Sequence, residues 1–99
     1  MERGGFVYIM TNEYNTTLYI GVTSNLIARV VEHKNNVYPR SFTARYNLHK
    51  LVYYEIIPSM EEAIMREKLL KGSNRNHKIK LIEGLNPQWD DLYDEINSW

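Results

Sequence analysis

The side chain most suggestive of chemistry is Glu67, because its spacing places it within the apolar stripe of a helix that begins near Ser59. A carboxylate held among apolar side chains is costly unless it is paired with a cation or coordinates a metal. We therefore expect a positive partner at Glu67, either a divalent metal or a basic side chain. Structural ion pairs are the more common arrangement. The candidate basic partners are Arg29, Arg66 and Lys71.

Arg29 and His33 form a second candidate constellation. They lie four residues apart in a predicted helix, where this spacing places both side chains along one border of the apolar stripe. Together they could contact one phosphate, since arginine supplies a planar fork of donors and histidine exchanges protons near neutral pH. Taken singly, each is more often a surface residue. His49 and His77 have no partner at ligand-like spacing, and we assign them no role.

Two tyrosines and a glycine share one face of a predicted β-hairpin. Residues 6–10 and 18–22 are rich in β-branched and aromatic side chains, which predicts two antiparallel strands. If Tyr8 lies opposite Tyr19, alternation places both phenols and Gly21 on the same face. The glycine leaves room for a group to approach the backbone, although packing against a helix would explain the two tyrosines equally well. The other face is expected to be core: Val7, Ile9, Leu18, Ile20 and Val22.

The elements that must position these residues follow from caps, breakers and periodicity. Ser59 and Glu62 form a capping box at the start of a helix, and Thr23 or Ser24 can cap the helix that carries Arg29. This order of elements predicts an α+β fold with a small antiparallel sheet and helices packed against it. After the hairpin and its helix we expect a basic loop over 35–47 and a strand over 51–57 that stops at Pro58. The helix that begins at Ser59 should run to about Leu70 and end at Gly72. Two further helices are predicted, one over 75–83 closed by Gly84 and one over 87–99 capped by Asn86.

Composition bounds the class of protein. The 99 residues, 43% hydrophobic and 24% charged, predict one globular domain over residues 1–99. The absence of cysteine excludes disulfides, cysteine-bearing zinc sites and thiol nucleophiles. No apolar run approaches the ~20 residues that span a bilayer, and the N-terminus, Met1 to Gly5, lacks the layout of a signal peptide. We therefore expect a cytoplasmic protein without membrane association.

Charge is segregated along the chain, although the formal net charge is zero. Residues 29–50 contain five Lys or Arg and one acid, residues 66–80 contain six and one, and residues 81–99 contain five acids and no Lys or Arg. If the two basic segments meet in the fold, they form a phosphate-attracting face; otherwise they solvate separate helices. The candidate contacts to nucleic acid are Lys34, Arg40, Arg45, Lys68 and Lys71.

The order of these motifs resembles the GIY-YIG nuclease superfamily. Val7-Tyr8-Ile9, nine further residues and then Tyr19-Ile20-Gly21 are similar to the two tripeptides that name it. The resemblance continues through Leu26-Ile27-Ala28-Arg29 and His33, through Leu51-Val52-Tyr53-Tyr54, and through Ala63-Ile64-Met65-Arg66-Glu67-Lys68. It covers roughly residues 6–85 and is closest to the small stand-alone bacterial members, with the C-terminal helix beyond it.

The resemblance implies a three-stranded antiparallel sheet flanked by helices and a nuclease that uses one divalent metal, Mg²⁺ or Mn²⁺. Glu67 would hold the metal, and Arg29 would stabilise charge on the phosphate. Tyr8 and Tyr19 would position or deprotonate the attacking water, and His33 stands where relatives carry a tyrosine or histidine. The implied substrate is DNA, structured or single-stranded, in repair or recombination, with a protein partner as one source of specificity.

Two departures from the family pattern keep other functions open. Phe6 replaces the first glycine, and Val22 stands where some active relatives have a lysine. A late family asparagine has three candidates: Asn74, Asn76 and Asn86. The first alternative is a nucleic-acid-binding module with weak or no catalysis. The second is a protein-interaction domain that uses the aromatic and acidic tail over 89–99.

Overall fold

The computed structural model describes residues 4–99; the first three residues, part of the segment inspected for a targeting signal, lie outside it. Three strands form one antiparallel sheet in the order β2-β1-β3. They are β1 (Gly5–Thr11), β2 (Leu18–Thr23) and β3 (Lys50–Ile57). The predicted α+β fold with a three-stranded antiparallel sheet is therefore confirmed, and β2 is an edge strand whose outer side has no strand partner in the described chain.

Within residues 4–99, five helices surround the sheet. Within the described residues no helix has the length and apolar character needed to cross a membrane. The predicted caps of α1, Thr23 or Ser24, are wrong by one or two residues, because Asn25 is its N-cap and accepts a hydrogen bond from the Ala28 N–H at 3.1 Å. The helices are α1 (Leu26–Lys34), α2 (Phe42–Arg45), α3 (Met60–Lys71), α4 (Arg75–Leu85) and α5 (Tyr93–Ile96).

The hairpin register differs from the prediction by two residues, while the faces are as predicted. Tyr8 pairs with Gly21, and Tyr19 pairs with Met10. A shift of two residues preserves side-chain direction, so Tyr8 and Tyr19 still share one face. The predicted opposition of Tyr8 and Tyr19 is wrong because the β1–β2 turn is held by Asn12, whose side-chain oxygen accepts hydrogen bonds from the Thr16 and Thr17 N–H groups.

Both faces of the sheet are buried, each against different helices. The face that carries the aliphatic residues of the hairpin packs on α3 and α4, and the tyrosine face packs on α1 and the C-terminal segment. The buried residues of the first cluster are Val7, Ile9, Ile20, Val52, Tyr53, Ala63, Leu70 and Ile82. Those of the second are Tyr8, Met10, Leu26, Val30, Leu48, Leu51 and Ile96.

The predicted N-cap Ser59 is confirmed and fixes the start of the helix that carries Glu67, whereas the Glu62 side chain binds the Ser59 hydroxyl instead of a backbone N–H. The Glu62 N–H donates to Ser59 Oγ at 3.2 Å, and the Ser59 hydroxyl donates to the Glu62 carboxylate at 2.9 Å. The helix ends at Gly72, as expected. The predicted end of α4 at Gly84 is wrong, because Gly84 does not adopt the positive φ by which glycine closes helices, and α4 continues to Leu85.

The predicted helix over 87–99 is also wrong, since only Tyr93–Ile96 is helical. The buried Asn86 amide donates to the carbonyls of Val52 and Asp90, and Trp89 has a φ of 57°, which turns the chain. Beyond the turn, the Leu92 N–H donates to the Leu51 carbonyl at 2.7 Å, and Ile96 is fully buried. The tail is therefore part of the core, which removes the observation that motivated a protein-interaction domain.

Candidate active site

Tyr8 is held in place by a buried hydrogen bond and a glycine. Its hydroxyl lies 2.8 Å from His33 Nε2, which joins the central strand β1 to α1. Its ring crosses directly over Gly21: a Cβ on that residue would lie 2.4 Å from the Tyr8 Cζ and Oη atoms. The room that the glycine provides is thus filled by Tyr8 itself, and Gly21 is required by close approach.

His33 continues this hydrogen-bond network into α2. Its Nδ1 atom lies 2.9 Å from Thr43 Oγ1, and Thr43 Oγ1 lies 3.2 Å from Ser41 Oγ. A neutral imidazole has one donor and one acceptor nitrogen. We assign the Nδ1–H tautomer, because Tyr8 can then donate to Nε2, Nδ1–H can donate to Thr43, and Thr43 can donate to Ser41. Every buried donor in the chain Tyr8–His33–Thr43 has a partner in this arrangement.

Burial determines the protonation of this pair. It raises the pKa of the Tyr8 phenol well above its ordinary value, and the neighbouring Tyr19 adds to the rise. Burial, together with a smaller effect of the nearby Arg29 charge, lowers the pKa of His33 to about 4. Both groups are therefore neutral at pH 7, with Tyr8 a donor and His33 an acceptor. This favours a positioning role for Tyr8 over proton abstraction from water.

Three of the five predicted site residues line one pocket of about 300 Å³. The half-buried Tyr19 packs its ring 5.7 Å from the His33 ring and 6.3 Å from the Tyr8 ring, so Tyr8 lies directly behind the pocket. Arg29 Nε lies 3.4 Å from a Glu32 carboxylate oxygen in a partly exposed ion pair. Such pairs contribute little to stability, so a phosphate can compete for the guanidinium. The lining includes Tyr19, Arg29, His33, Tyr38, Phe42 and Thr43.

Glu67 is partly buried and paired with a lysine. Its Oε2 lies 3.4 Å from Lys71 Nζ, and its side chain is 15% exposed. Among the predicted basic partners, Lys71 is thus the one observed, because Arg66 instead forms two hydrogen bonds with Glu55 at 2.8 and 2.9 Å. The apolar stripe is narrower than predicted, since Ile64 is exposed. Glu67 still lies within that stripe as predicted, because its spacing of four from the buried Ala63 and three from the buried Leu70 places it on the same helix face.

The residues around Glu67 define which metal they could hold. Among residues 4–99, no group of three or more His, Cys, Asp or Glu side chains is arranged to hold a metal. Zinc sites need three or four protein ligands, whereas Mg²⁺ keeps several waters and binds through one or two carboxylates and substrate phosphates. A single carboxylate at Glu67 therefore fits Mg²⁺ or Mn²⁺, provided that Lys71 moves aside.

The five basic residues proposed to contact nucleic acid have different surroundings. Lys34 is bound by the Asp91 carboxylate and by the His49 carbonyl, so its charge is already paired. Arg40 and Arg45 are exposed on the segment between α1 and β3. Lys68 and Lys71 are exposed on α3. The two basic segments meet near the outer edge of β2, where Phe42 and Lys71 line the same groove.

Three residues of this region were not predicted to belong to the site. Thr43 binds His33, and Phe42 and Lys78 line the groove at the β2 edge. Ser41, the N-cap of α2, was a usable signal, because its side chain accepts from the Ala44 N–H and marks a helical turn in the basic loop. The contacts of Phe42 and Lys78 carry no local signal, because they depend on how distant elements pack.

Comparison with known proteins identifies the family of the chain. Residues 4–80 match the family model of the GIY-YIG catalytic domain. The chain therefore belongs to the GIY-YIG catalytic domain family.

Within this class the chain belongs with the small bacterial UPF0213 proteins. A UPF0213 protein of Clostridium perfringens is 35% identical over 92 residues, which cover 93% of this chain and 97% of that relative. One from Staphylococcus haemolyticus is 37% identical over 78 residues, which cover 79% and 93%. The solution NMR structure of a UPF0213 protein from Bacillus halodurans has the same fold, with a TM-score of 0.55 and 24% identity over 89% of this chain and 92% of that chain.

Proposed function

We propose that this protein is a divalent-metal-dependent endonuclease that hydrolyses phosphodiester bonds in DNA. The main observation behind the proposal is that Tyr19, Arg29 and His33 line one and the same pocket, with Tyr8 hydrogen-bonded to His33 behind it. A cation able to bind phosphate, an accessible phenol and a neutral imidazole converge there. Family membership in the GIY-YIG catalytic domain supports the same reaction class.

Each side chain has a distinct role in the proposed mechanism. Arg29 exchanges its Glu32 partner for the scissile phosphate and stabilises the charge that develops on it. Tyr19, whose phenol faces the pocket, orients the attacking water. The buried hydrogen bond between Tyr8 and His33 holds these two side chains in fixed positions next to Tyr19.

Glu67 is the proposed metal ligand in this mechanism. When bound, Mg²⁺ or Mn²⁺ supplies Lewis-acid stabilisation of the phosphate and lowers the pKa of a bound water. The Glu67 carboxylate lies 3.4 Å from Lys71 Nζ, and Lys71 lines the groove at the β2 edge, so the site that would hold the metal adjoins that groove.

The biological setting follows from the proposed substrate. We propose, from the family resemblance, that the protein acts on DNA in the cytoplasm, in repair or recombination. A chain of 99 residues has little surface for reading bases, so a protein partner is one source of specificity.

Cleavage of a panel of labelled DNAs tests the proposal. Single-stranded, duplex, flap and branched DNAs are incubated with the wild-type protein in Mg²⁺, in Mn²⁺ or in EDTA. We expect endonucleolytic products with a metal and none in EDTA. Products that persist in EDTA would rule out metal dependence. A folded protein that cuts no member of the panel would count against the nuclease.

A second candidate function is DNA binding without efficient catalysis. Two observations favour it: Val22 stands where some active relatives have a lysine, and the Glu67 carboxylate forms an ion pair with Lys71. This function predicts binding that is salt-sensitive and unaffected by EDTA, because phosphate contacts release counterions. Salt-insensitive binding would refute it.

A further inference from the structure

A second groove adjoins the active-site pocket at the outer edge of β2. It has a volume of about 340 Å³ and is lined by Leu18, Tyr19, Ile20, Phe42, Lys71 and Lys78. Tyr19 and Phe42 also line the active-site pocket, so these two rings form a wall shared by both cavities. A molecule bound at Arg29 and His33 therefore extends naturally into this second groove, which we call the edge groove.

The shared wall is a row of aromatic rings. The Tyr19 and Phe42 rings are stacked, with centroids 6.2 Å apart and planes at 27°. The Tyr46 ring continues the row, 4.6 Å from Phe42. Phe42 and Tyr46 are 46% and 49% exposed, which is costly for aromatic side chains without a partner. Aromatic rings exposed in a row beside cations are typical of surfaces on which nucleic-acid bases stack.

Positive charge flanks this wall. Lys71 and Lys78 lie on the α3 and α4 side of the edge groove. The Lys78 ammonium donates to the Ser73 carbonyl, a neutral acceptor, so its charge stays available to an anion. The segment that itself carries Phe42 and Tyr46, residues 33–54, contains no Asp or Glu and includes the exposed Arg40 and Arg45. The surroundings of the aromatic row thus complement a phosphate backbone.

We propose that the edge groove binds an unpaired base next to the scissile phosphate, stacked on Phe42, and that the protein therefore acts on single-stranded or locally unpaired DNA. This proposal rests on the proposed nuclease function. The volume of the groove lies at the low end of the ~300–1,000 Å³ range of ligand pockets, a size that suits one base. A base can enter such a groove only when it has left the helical stack.

Binding in EDTA tests the groove independently of cleavage. Fluorescence anisotropy is measured with a labelled oligothymidylate and with a labelled duplex of the same length. The variants are Phe42→Ala, Phe42→Leu and, as a matched control, Tyr14→Ala, since Tyr14 is a more exposed aromatic outside both cavities. We expect wild type and the control to prefer the single strand. Both Phe42 variants should weaken single-strand binding roughly 10-fold and leave duplex binding unchanged.

A fluorescent base gives a direct readout of stacking. A single 2-aminopurine in the oligonucleotide should be quenched by the wild type and not by Phe42→Leu, which keeps apolar volume but removes the ring. Three results would each overturn the proposal. They are equal single-strand affinity in wild type and Phe42→Leu, equal losses of affinity for single strand and duplex in the Phe42 variants, and no binding by the wild type. Phe42-dependent binding without any cleavage would instead count against the nuclease alone, and duplex cleavage indifferent to Phe42 would count against the groove alone.

Discussion

The hydroxyl of Tyr8 and Nε2 of His33 form a buried hydrogen bond of 2.8 Å between the central strand and the first helix. The first motif tyrosine is therefore bound inside the domain rather than open to substrate, and it is fully buried. Tyr19, the second motif tyrosine, is half-buried and lines the pocket. The two tyrosines have different tasks in this account: Tyr8 positions His33, and Tyr19 faces the reaction.

Removal of the Tyr8 hydroxyl should destabilise the domain. The Tyr8→Phe substitution leaves His33 Nε2 buried without its partner, which costs about 1–3 kcal/mol. Urea denaturation at pH 7 should show this loss in the free energy of unfolding. Tyr14→Phe is the control, since Tyr14 is 77% exposed, and it should be neutral. Equal stability of the two variants would contradict the importance of the Tyr8–His33 bond.

The buried neutral His33 should make stability depend on pH. In the unfolded chain its imidazole gains a proton near pH 6.5, whereas in the folded state its pKa is about 4. Between these values the unfolded state binds more protons, so the free energy of unfolding falls as the pH falls from about 6.5 to about 4. The contribution of His33 amounts to roughly 3 kcal/mol over this range.

The His33→Gln variant isolates this contribution. Glutamine keeps one donor and one acceptor but does not ionise, so the decrease in stability from pH 7 to pH 4 should be smaller than in the wild type. His77→Gln, at an exposed position on α4, should retain the wild-type slope. Identical slopes in His33→Gln and wild type would show that His33 is not held neutral.

Two glycines should respond to alanine in opposite directions. In Gly21→Ala the new methyl group would overlap the Tyr8 ring, which must move and lose its bond to His33. Overpacking of this kind costs about 1–3 kcal/mol, and cleavage should fall with it. Gly84 lies inside α4, and a methyl group added there would meet no heavy atom within 4 Å, so Gly84→Ala should stabilise the domain by about 0.5–1 kcal/mol. Thermal unfolding of both variants tests the pair, and a tolerated Gly21→Ala would contradict the packing described.

Arg66 should matter for stability and not for the reaction. Its guanidinium binds the Glu55 carboxylate in a two-bond pair that holds the pKa of Glu55 below its usual range. The Arg66→Met variant leaves the part-buried Glu55 carboxylate without its cationic partner and should lose about 1–3 kcal/mol of stability. Lys80→Met, an exposed substitution on α4, is the control. Cleavage per folded molecule should be unchanged in Arg66→Met, and a selective loss of activity would give Arg66 a role in the site.

Sequence patterns predicted the faces of the hairpin because alternation depends only on parity, which a two-residue shift leaves intact. They did not predict the register, which depends on how Asn12 folds the β1–β2 turn. The same limit applies to the C-terminal segment. Its helical periodicity was overridden by the buried amide of Asn86 and by the turn at Trp89, which are tertiary features.

The candidate site was predictable to the extent that its residues lie on regular elements. The spacing of Arg29 and His33 on α1 brought both to one pocket. The His33–Thr43 contact was not predictable, since it depends on the path of the segment between α1 and α2, where Asn36 has a φ of 50°. The partner of Glu67 was predicted only as one of two alternatives, a basic side chain or a metal, because either can neutralise the charge of the carboxylate.

The single-turnover rate of DNA cleavage by Glu67→Gln in Mg²⁺ tests the central claim most directly. Glutamine preserves size and removes the charge that would hold the metal, and Glu61→Gln, in the first turn of the same helix, is the control. We predict that Glu67→Gln loses about 100-fold or more in rate, while the freed Lys71 keeps DNA binding in EDTA at least as tight as in wild type. A Glu67→Gln variant that cleaves as fast as wild type and Glu61→Gln would contradict a metal-dependent nuclease centred on Glu67.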